Sequence, residues 1–539
     1  MNDPSGLSGF ACRSQIEPLW RRAGVISYPH QIATARRVVE QMSGRAILAD
    51  EVGLGKTIEA GLVTRELMAR GQVKQFLVLT PASLIGQWQA ELAEKFGLEC
   101  LTDADDKDWC DADGIVISID LAKREPYRER LAAQGYDLVI VDEAHRLKNR
   151  RTLNHHLVRD LNTPYLLLLS ATPLQNDLTE LYSLITLLHP RVFGSFESFW
   201  RRFLLDKRTP RDPAQLREIL AGVMVRHRRQ DLKLDLPERS VTLVPITLFP
   251  KEQALYAAVT KLVRSAFRRR DLFGGSILPL LTLQREVCSS AHALAETLER
   301  ARVDDPQCDD LLEMARSVVD HRKAWALAGL IPELDEKVIV FTEFVATQRF
   351  LMERLAASGY EAAGYHGQMS RAEKSESLRR FANSAGVLVS TECGGQGLNL
   401  QFCRTVINYD LPWNPMRVEQ RIGRVHRLGQ KAARVRIYNL CASGTIEEHI
   451  LRLLDEKIEL FRQVVGELDV ILRHLERRKS IEGQIAEITL SSATEREVSL
   501  RFDMLGAELI NTRKRIMTSQ AALPASLAAV AGPDGWKQK

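Results

Sequence analysis

At 539 residues the chain is too long for one hydrophobic core, and ordinary domain sizes divide it into roughly two to four domains. Hydrophobic residues at 45% and charged residues at 27% exclude extensive disorder, and a net charge of +5 permits a nucleic-acid partner without arguing for one. No N-terminal run resembles a signal peptide, and the longest apolar runs, such as YLLLLSA from Tyr165, fall far short of the ~20 residues that span a bilayer, so a soluble, cytoplasmic protein with no membrane partner is expected.

After a lead-in over 1–27, short continuous apolar runs recur at 46–49, 76–79, 115–117, 138–141 and 166–169, each followed by a small or polar residue and a helical pattern. Continuous rather than alternating hydrophobicity predicts strands covered on both faces, and hence a parallel sheet in an α/β layer. Between about 181 and 330 strand signals nearly vanish, and helical periodicity with many arginines predicts helical protrusions and a hinge. A second series then begins with KVIVF from Lys337 and continues with GVLVS from Gly386, TVINY from Thr405 and VRIYNL from Val435. Beyond GTIEEHI the pattern is helical to about 520, and the remaining tail is expected to fray.

The expected architecture is therefore two α/β lobes. The first, with a helical protrusion, covers 28–240; a helical insertion of the second covers 241–330, its sheet 331–450, a helical brace 451–520 and a tail 521–539. Cysteines at 12, 100, 110, 288, 308, 393, 403 and 441 include no Cys-x-x-Cys pair, so reduced thiols and no structural zinc are expected.

The stretch ILADEVGLGKTIEAG, from Ile47, is where the first lobe's chemistry concentrates. A strand that enters a glycine-rich turn and leaves as a helix aims several backbone N–H groups at one point, and the helix start adds positive potential there. That point suits a phosphate. Gly53 and Gly55 would let the backbone close around the anion, Lys56 would reach the outer phosphates and the Thr57 hydroxyl would bind magnesium. The full eight-residue pattern has glycine where this chain has Asp50.

Downstream, DLVIVDEAHRLKN places Asp142 and Glu143 just past a buried strand, where ligands collect in open α/β sheets. Asp142 can hold magnesium, and Glu143 can orient and deprotonate an attacking water. In the second lobe, EQRIGRVHRLGQ sets Arg424 and Arg427 three apart, on one face if the segment is helical. Positive charge brought to the γ-phosphate by another lobe acts only when the lobes close, which couples hydrolysis to movement.

These motifs occur in a family's order. HQ at His30, DEVGLGKT, TPASLIGQW, DEAH, SATPLQN, STECGGQGLNLQ, DLPWNP and QRIGRVHRLGQ follow the order and approximate spacing of the Swi/Snf-type ATPases of helicase superfamily two, and the resemblance covers about 28–450. The DEVGLGKTIEAG wording resembles the bacterial members, including the RNA-polymerase-associated remodeller. The resemblance implies two RecA-like lobes that use ATP and Mg2+. It implies a nucleotide cradle of Gln31, Asp50, Gly53, Leu54, Gly55, Lys56 and Thr57, with Gln31 reading adenine. It assigns metal to Thr57 and Asp142, water activation to Glu143, and γ-phosphate contacts to Gln420, Arg424 and Arg427. His145, Ser170 and Thr172 would couple the ATP site to nucleic acid, while Thr80, Ser118, Gly394, Gly395 and Asn399 fall in motifs that touch or support a DNA backbone track.

Such enzymes walk on double-stranded DNA rather than unwind it, and phosphate-backbone grips carry no sequence information. The sparse 6% aromatic content, without aromatic-basic interleaving, favours duplex over single strands. VRHRRQ from Val225 and SAFRRR from Ser265 could extend the track or simply face solvent. Trp88 and Trp413 are expected in the core or at a lobe interface. The expected activity is a duplex DNA translocase that displaces or remodels bound protein. Its alternatives are a strand-separating helicase and an ATP-gated adaptor, and no reader domain is recognisable, so protein partners would supply targeting.

Overall fold

The computed structural model describes residues 28–51, 53–103, 105, 109–170, 178–206, 211–227, 232, 237–269, 277–301, 306–391, 400–427, 429–454 and 481–521. The chain divides into two compact units, Met1–Arg228 and Arg229–Lys539.

The first unit is built on a parallel sheet of seven strands: β1 Arg45–Leu48, β2 Phe76–Thr80, β3 Cys100–Leu101, β4 Gly114–Ser118, β5 Leu138–Val141, β6 Tyr165–Leu169 and β7 Met224–Val225. They are ordered β3-β4-β2-β5-β6-β1-β7. Successive residues of a strand point to opposite faces, and here both faces are apolar. Ile47, Leu77, Leu79, Ile117, Val139, Val141 and Leu168 join one buried cluster, whereas Ala46, Leu48, Val78, Val116, Ile140 and Leu167 join the other. That double coverage is why the strands read as unbroken apolar runs. Helices α1 Pro29–Gln41, α2 Lys56–Ala69 and α3 Ile85–Phe96 pack on the second cluster.

The second unit carries six parallel strands: β8 Glu238–Ile246, β9 Val338–Phe341, β10 Ala362–Tyr365, β11 Val387–Ser390, β12 Thr405–Asn408 and β13 Arg434–Ala442. Their order is β10-β11-β9-β12-β13-β8. Val338 and Val340 face one cluster, Ile339 and Phe341 another. Helices at Pro250–Arg269, Ile277–Ser289, Ala291–Ala301 and Pro306–Ser317 build a separate apolar core, and Ile481–Ser491 and Glu495–Ala521 follow the sheet.

The expectation that strands nearly vanish over 181–330 is corrected by β7 and β8. β8 runs in register with β13 from Glu238↔Arg434 to Ile246↔Ala442. As the last strand in the order it has one neighbour, so most of its residues stay partly exposed, and Pro245, which lacks an N–H, is tolerated there. A half-exposed strand mixes polar and apolar residues and leaves no continuous run to detect. Among the described residues, no helix is long and apolar enough to cross a membrane.

Candidate functional site

In the first unit the carboxyl ends of β1, β2 and β5 gather the chemistry. β1 leads through Asp50 and Glu51 into a turn in which Gly53 and Gly55 have φ of 89° and 93°. These left-handed angles suit glycine, which has no Cβ to clash. Gly55 is also pressed by its surroundings: a Cβ there would lie 2.3 Å from Gln31 Nε2. The Gln31 amide is engaged at both ends, Nε2 donating to the Leu54 carbonyl (2.8 Å) and Oε1 accepting from Tyr28 N–H (3.0 Å). The expected adenine-reading residue thus braces the loop from α1.

Gly55 caps α2, so Lys56 and Thr57 form its first turn. Lys56 Nζ donates to the Asp50 carbonyl at 2.8 Å and approaches that of Glu51 at 3.5 Å. Burial pushes this ammonium down, while Asp50, Glu143, Asp142 and Glu59 support its charge. The loop lysine and the acid pair of β5 therefore share one neighbourhood. With left-handed glycines, a cation and a helix start converging, the residues fit a magnesium-bound triphosphate.

Asp142 follows β5 and its N–H donates to the Leu79 carbonyl of neighbouring β2 at 2.8 Å. Its Oδ2 accepts from Trp88 Nε1 (2.9 Å) and faces the Thr80 hydroxyl at 3.4 Å. Burial first, then the Glu143 charge, pushes this carboxyl up to about 6. Glu143 has φ of 51°, unusual for a side chain with a Cβ, and its N–H donates to Asp142 Oδ1 at 2.9 Å. His145 Nδ1 stands 3.2 Å from Glu143 Oε2, which places the histidine expected to couple the sites beside the acid pair. Ser170 is buried at the end of β6, its N–H bonded to the Leu48 carbonyl of β1 at 3.1 Å, and Thr172 lies outside the described residues.

Two residues expected along a DNA track are used internally. Thr80 is fully buried and turned to Asp142, and Ser118 is buried with its hydroxyl accepting from Leu121 N–H at 3.1 Å, a helix cap. Gly394, Gly395 and Asn399 lie outside the described residues. Trp88 and Trp413 are both buried in apolar clusters.

In the second unit the helix Pro415–Ile422 ends before both arginines, so Arg424 and Arg427 stand in the turns after it and not on one helical face. Arg424 is buried, with Nε donating to the Gln420 carbonyl at 3.0 Å, and Arg427 is half-buried. The segment is held from β8. Arg239 makes two bonds to the Glu419 carboxylate (3.0 and 2.6 Å) and donates to His426 Nδ1 at 3.3 Å, while His426 Nε2–H donates to the Pro237 carbonyl at 3.0 Å. Sequence reading missed Arg239 along with β8. It also missed Trp88 as a partner of Asp142, although the aromatic residue of TPASLIGQW was a visible signal.

The SNF2-related domain family matches residues 30–293, and the helicase conserved C-terminal domain family matches 322–429. The chain is 44% identical over 486 residues to YqhH, an uncharacterized ATP-dependent helicase of Bacillus subtilis, across 88% of this chain and 86% of the relative. It is 28% identical over 457 residues to the RNA polymerase-associated protein RapA of Erwinia tasmaniensis, across 75% of this chain but 46% of RapA, so it spans about half that relative's length. The helicase domain of Pyrococcus furiosus Hef shares the fold at 18% identity and a TM-score of 0.51, over 80% of this chain and 98% of that one.

Proposed function

Because the chain belongs to the Swi/Snf-type ATPases of helicase superfamily two, and is an ATP hydrolase of helicase type, we propose that it moves along double-stranded DNA and displaces or remodels bound protein. The observation that carries the chemical half of this reading is the convergence of Lys56 with Asp142 and Glu143 beside the two left-handed glycines. Lys56 would leave the Asp50 carbonyl for the outer phosphates of ATP. Thr57 and Asp142 would hold magnesium, which when bound neutralises charge on the phosphate oxygens. Glu143 would orient the attacking water and take its proton. Gln420, Arg424 and Arg427 would meet charge developing on the γ-phosphoryl oxygens.

The mechanical half rests on the family. Grips on a phosphate backbone are independent of sequence, so targeting falls to protein partners, in a transcription, repair or anti-phage assembly. The test is an ATPase titration with duplex and with single-stranded DNA, run beside displacement of a triplex-forming strand. Duplex should stimulate turnover more than single strands, and the third strand should leave without separation of the duplex. Turnover indifferent to every nucleic acid defeats the proposal, and separation of a forked duplex replaces it with a strand-separating helicase. Glu143→Gln should lower kcat by roughly 10²- to 10⁴-fold while ATP still binds. If that variant still performs the protein's cellular role, the ATP-gated adaptor is the better description.

A further inference from the structure

Asp50 stands where a full phosphate-loop pattern has glycine, and the structure gives it a use of its own. Its carboxylate is fully buried and takes three bonds from one residue, His227: the backbone N–H to Oδ1 at 2.8 Å, and Nδ1 at 3.1 Å from each oxygen. The pairing of β1 with β7 continues past both strands, with Ala49 N–H on the Val225 carbonyl (2.8 Å) and Glu51 N–H on the His227 carbonyl (3.3 Å). The entry to the phosphate loop is thus zipped to residues 225–227. Asp50 sits in the middle of this zipper, its side chain on His227 and its main-chain carbonyl on Lys56 Nζ at 2.8 Å.

A second buried acid beside Asp50 narrows the chemistry. Glu59, on α2, is fully buried, and neither carboxyl oxygen has a hydrogen-bond partner in ordinary geometry. It faces Asp50 and the Thr34 hydroxyl. For Asp50 burial pushes upward, but the bonds and charge of His227 outweigh it and hold the carboxyl low. His30, Asp50 and Glu59 each bring a donor atom within 4.8 Å of the others, a spacing that invites a cation. However, His30 Nε2 already faces the Leu54 carbonyl at 3.3 Å and both Asp50 oxygens are engaged by His227. The Asp50 carboxylate is instead tied to His227.

We propose that His227 is a positioning residue which, through Asp50, couples the state of the phosphate loop to the chain leading into the second unit. His227 lies one residue before the unit boundary after Arg228, inside the VRHRRQ run that the nucleotide chemistry leaves unused. When phosphate draws Lys56 from the Asp50 carbonyl, the Asp50 peptide is released on one side only, and its carboxylate carries the shift to His227. The inference rests on the ATP-site reading above, and the experiment separates the two.

Hydrogen–deuterium exchange of the intact chain, with and without AMP-PNP and magnesium, is followed over 222–232 in wild type, His227→Ala and His227→Asn. The asparagine amide can donate to Asp50 as Nδ1 does. Wild type should change protection over this segment on adding nucleotide, His227→Ala should lose the change, and His227→Asn should recover it. In steady-state ATPase assays, His227→Ala should lose duplex stimulation by roughly fivefold or more while basal turnover falls much less. A wild-type segment indifferent to AMP-PNP while 47–61 gains protection overturns the inference, as does a His227→Ala that responds like wild type or loses basal and stimulated turnover in equal proportion; no response at either segment defeats the ATP-site reading instead. Failure of His227→Asn to recover overturns it as well. If the segment responds to nucleotide as expected but no DNA stimulates wild type, the translocase reading fails and the coupling stands.

Discussion

Gly55 places two demands on one residue, and they can be weighed separately. Its φ of 93° opposes any Cβ, and its neighbour Gln31 Nε2 leaves that Cβ only 2.3 Å. Gly71 is a natural control, with φ of 69° and nothing within 4 Å of a Cβ. Gly71→Ala should therefore pay conformational strain alone, about 1–2 kcal/mol. Gly55→Ala adds displacement of the Gln31 amide from Leu54 and Tyr28, each bond worth about 1 kcal/mol net. The expected result is a first unit destabilised by about 3–4 kcal/mol, with ATP affinity reduced in parallel. Urea denaturation and nucleotide titration of both variants measure this, and equal costs for the two would show that the contact with Gln31 carries no weight. Glu143 holds a similar angle, φ of 51°, without being glycine. The strain, on the order of 1–3 kcal/mol, is kept at the residue expected to handle the water.

At the scale of elements, a buried ion cluster joins helices of the second unit to its sheet. Lys323, in the helix Arg322–Leu334, is 2% exposed and bonds both oxygens of Glu447 (2.8 and 3.0 Å) and the Cys288 carbonyl (3.1 Å). Asp410 Oδ1 stands 3.6 Å from the same ammonium, while its Oδ2 accepts from Ser289 (2.8 Å), Thr342 (2.5 Å) and Glu343 N–H (3.0 Å). Burial opposes the charge on Lys323, but Glu447 and Asp410 outweigh it and raise the ammonium. Removing one partner strands the others in a medium of low dielectric, so Lys323→Met should cost about 3–5 kcal/mol, whereas Lys323→Met with Glu447→Leu should recover part of it. Thermal unfolding decides, and a single variant costing under about 1 kcal/mol would show that the cluster is already solvated.

No sequence pattern announced this cluster, and the reason is general. The glycine turn, the acid pair and the buried strands were legible because each is contiguous and repeats a local physical need. Asp50 and His227 are separated by 177 positions and Arg239 and Glu419 by 180, so their pairing becomes visible only once the sheet order brings them together. β8 escaped because an edge strand shows water half its length. Thr80 and Ser118 fall in motifs expected to touch or support a DNA track, and burial turns their hydroxyls inward, to Asp142 and the Leu121 N–H. The residue type was readable and the direction it faces was not.

At the scale of the whole molecule, acid sensitivity should be uneven, because the second unit buries titratable groups whose shifts oppose one another. His321 is buried against His292 and Phe350, with Arg354 and Asp320 nearby, and its Nε2 accepts from Ala291 N–H at 3.1 Å. Burial, then the neighbouring His292, pushes it down to about 4. Burial pushes Glu286, bonded to the Thr297 hydroxyl at 2.6 Å, up to about 7. For His321 the unfolded chain holds the extra proton between its ordinary 6.5 and about 4, so its contribution is intact above that window and lost as pH falls through it. For Glu286 the folded chain holds the extra proton between 4.5 and about 7, so its contribution is intact below the window and lost as pH rises. Over the shared range each group tilts stability by up to about 1.4 kcal/mol per pH unit, Glu286 in one direction and the histidine in the other. Glu286→Gln removes the acid's share and should make the slope of stability against pH more positive by about that amount. His321→Gln keeps an acceptor for Ala291 N–H, removes the opposing term and should make the slope more negative by a similar amount. Urea midpoints from pH 4.5 to 6.5, read by tryptophan fluorescence in single-tryptophan variants retaining Trp413, give both slopes against wild type. If the two variants tilt the profile the same way, these groups are not dry and acid unfolding of the unit must be assigned to its surface charges instead.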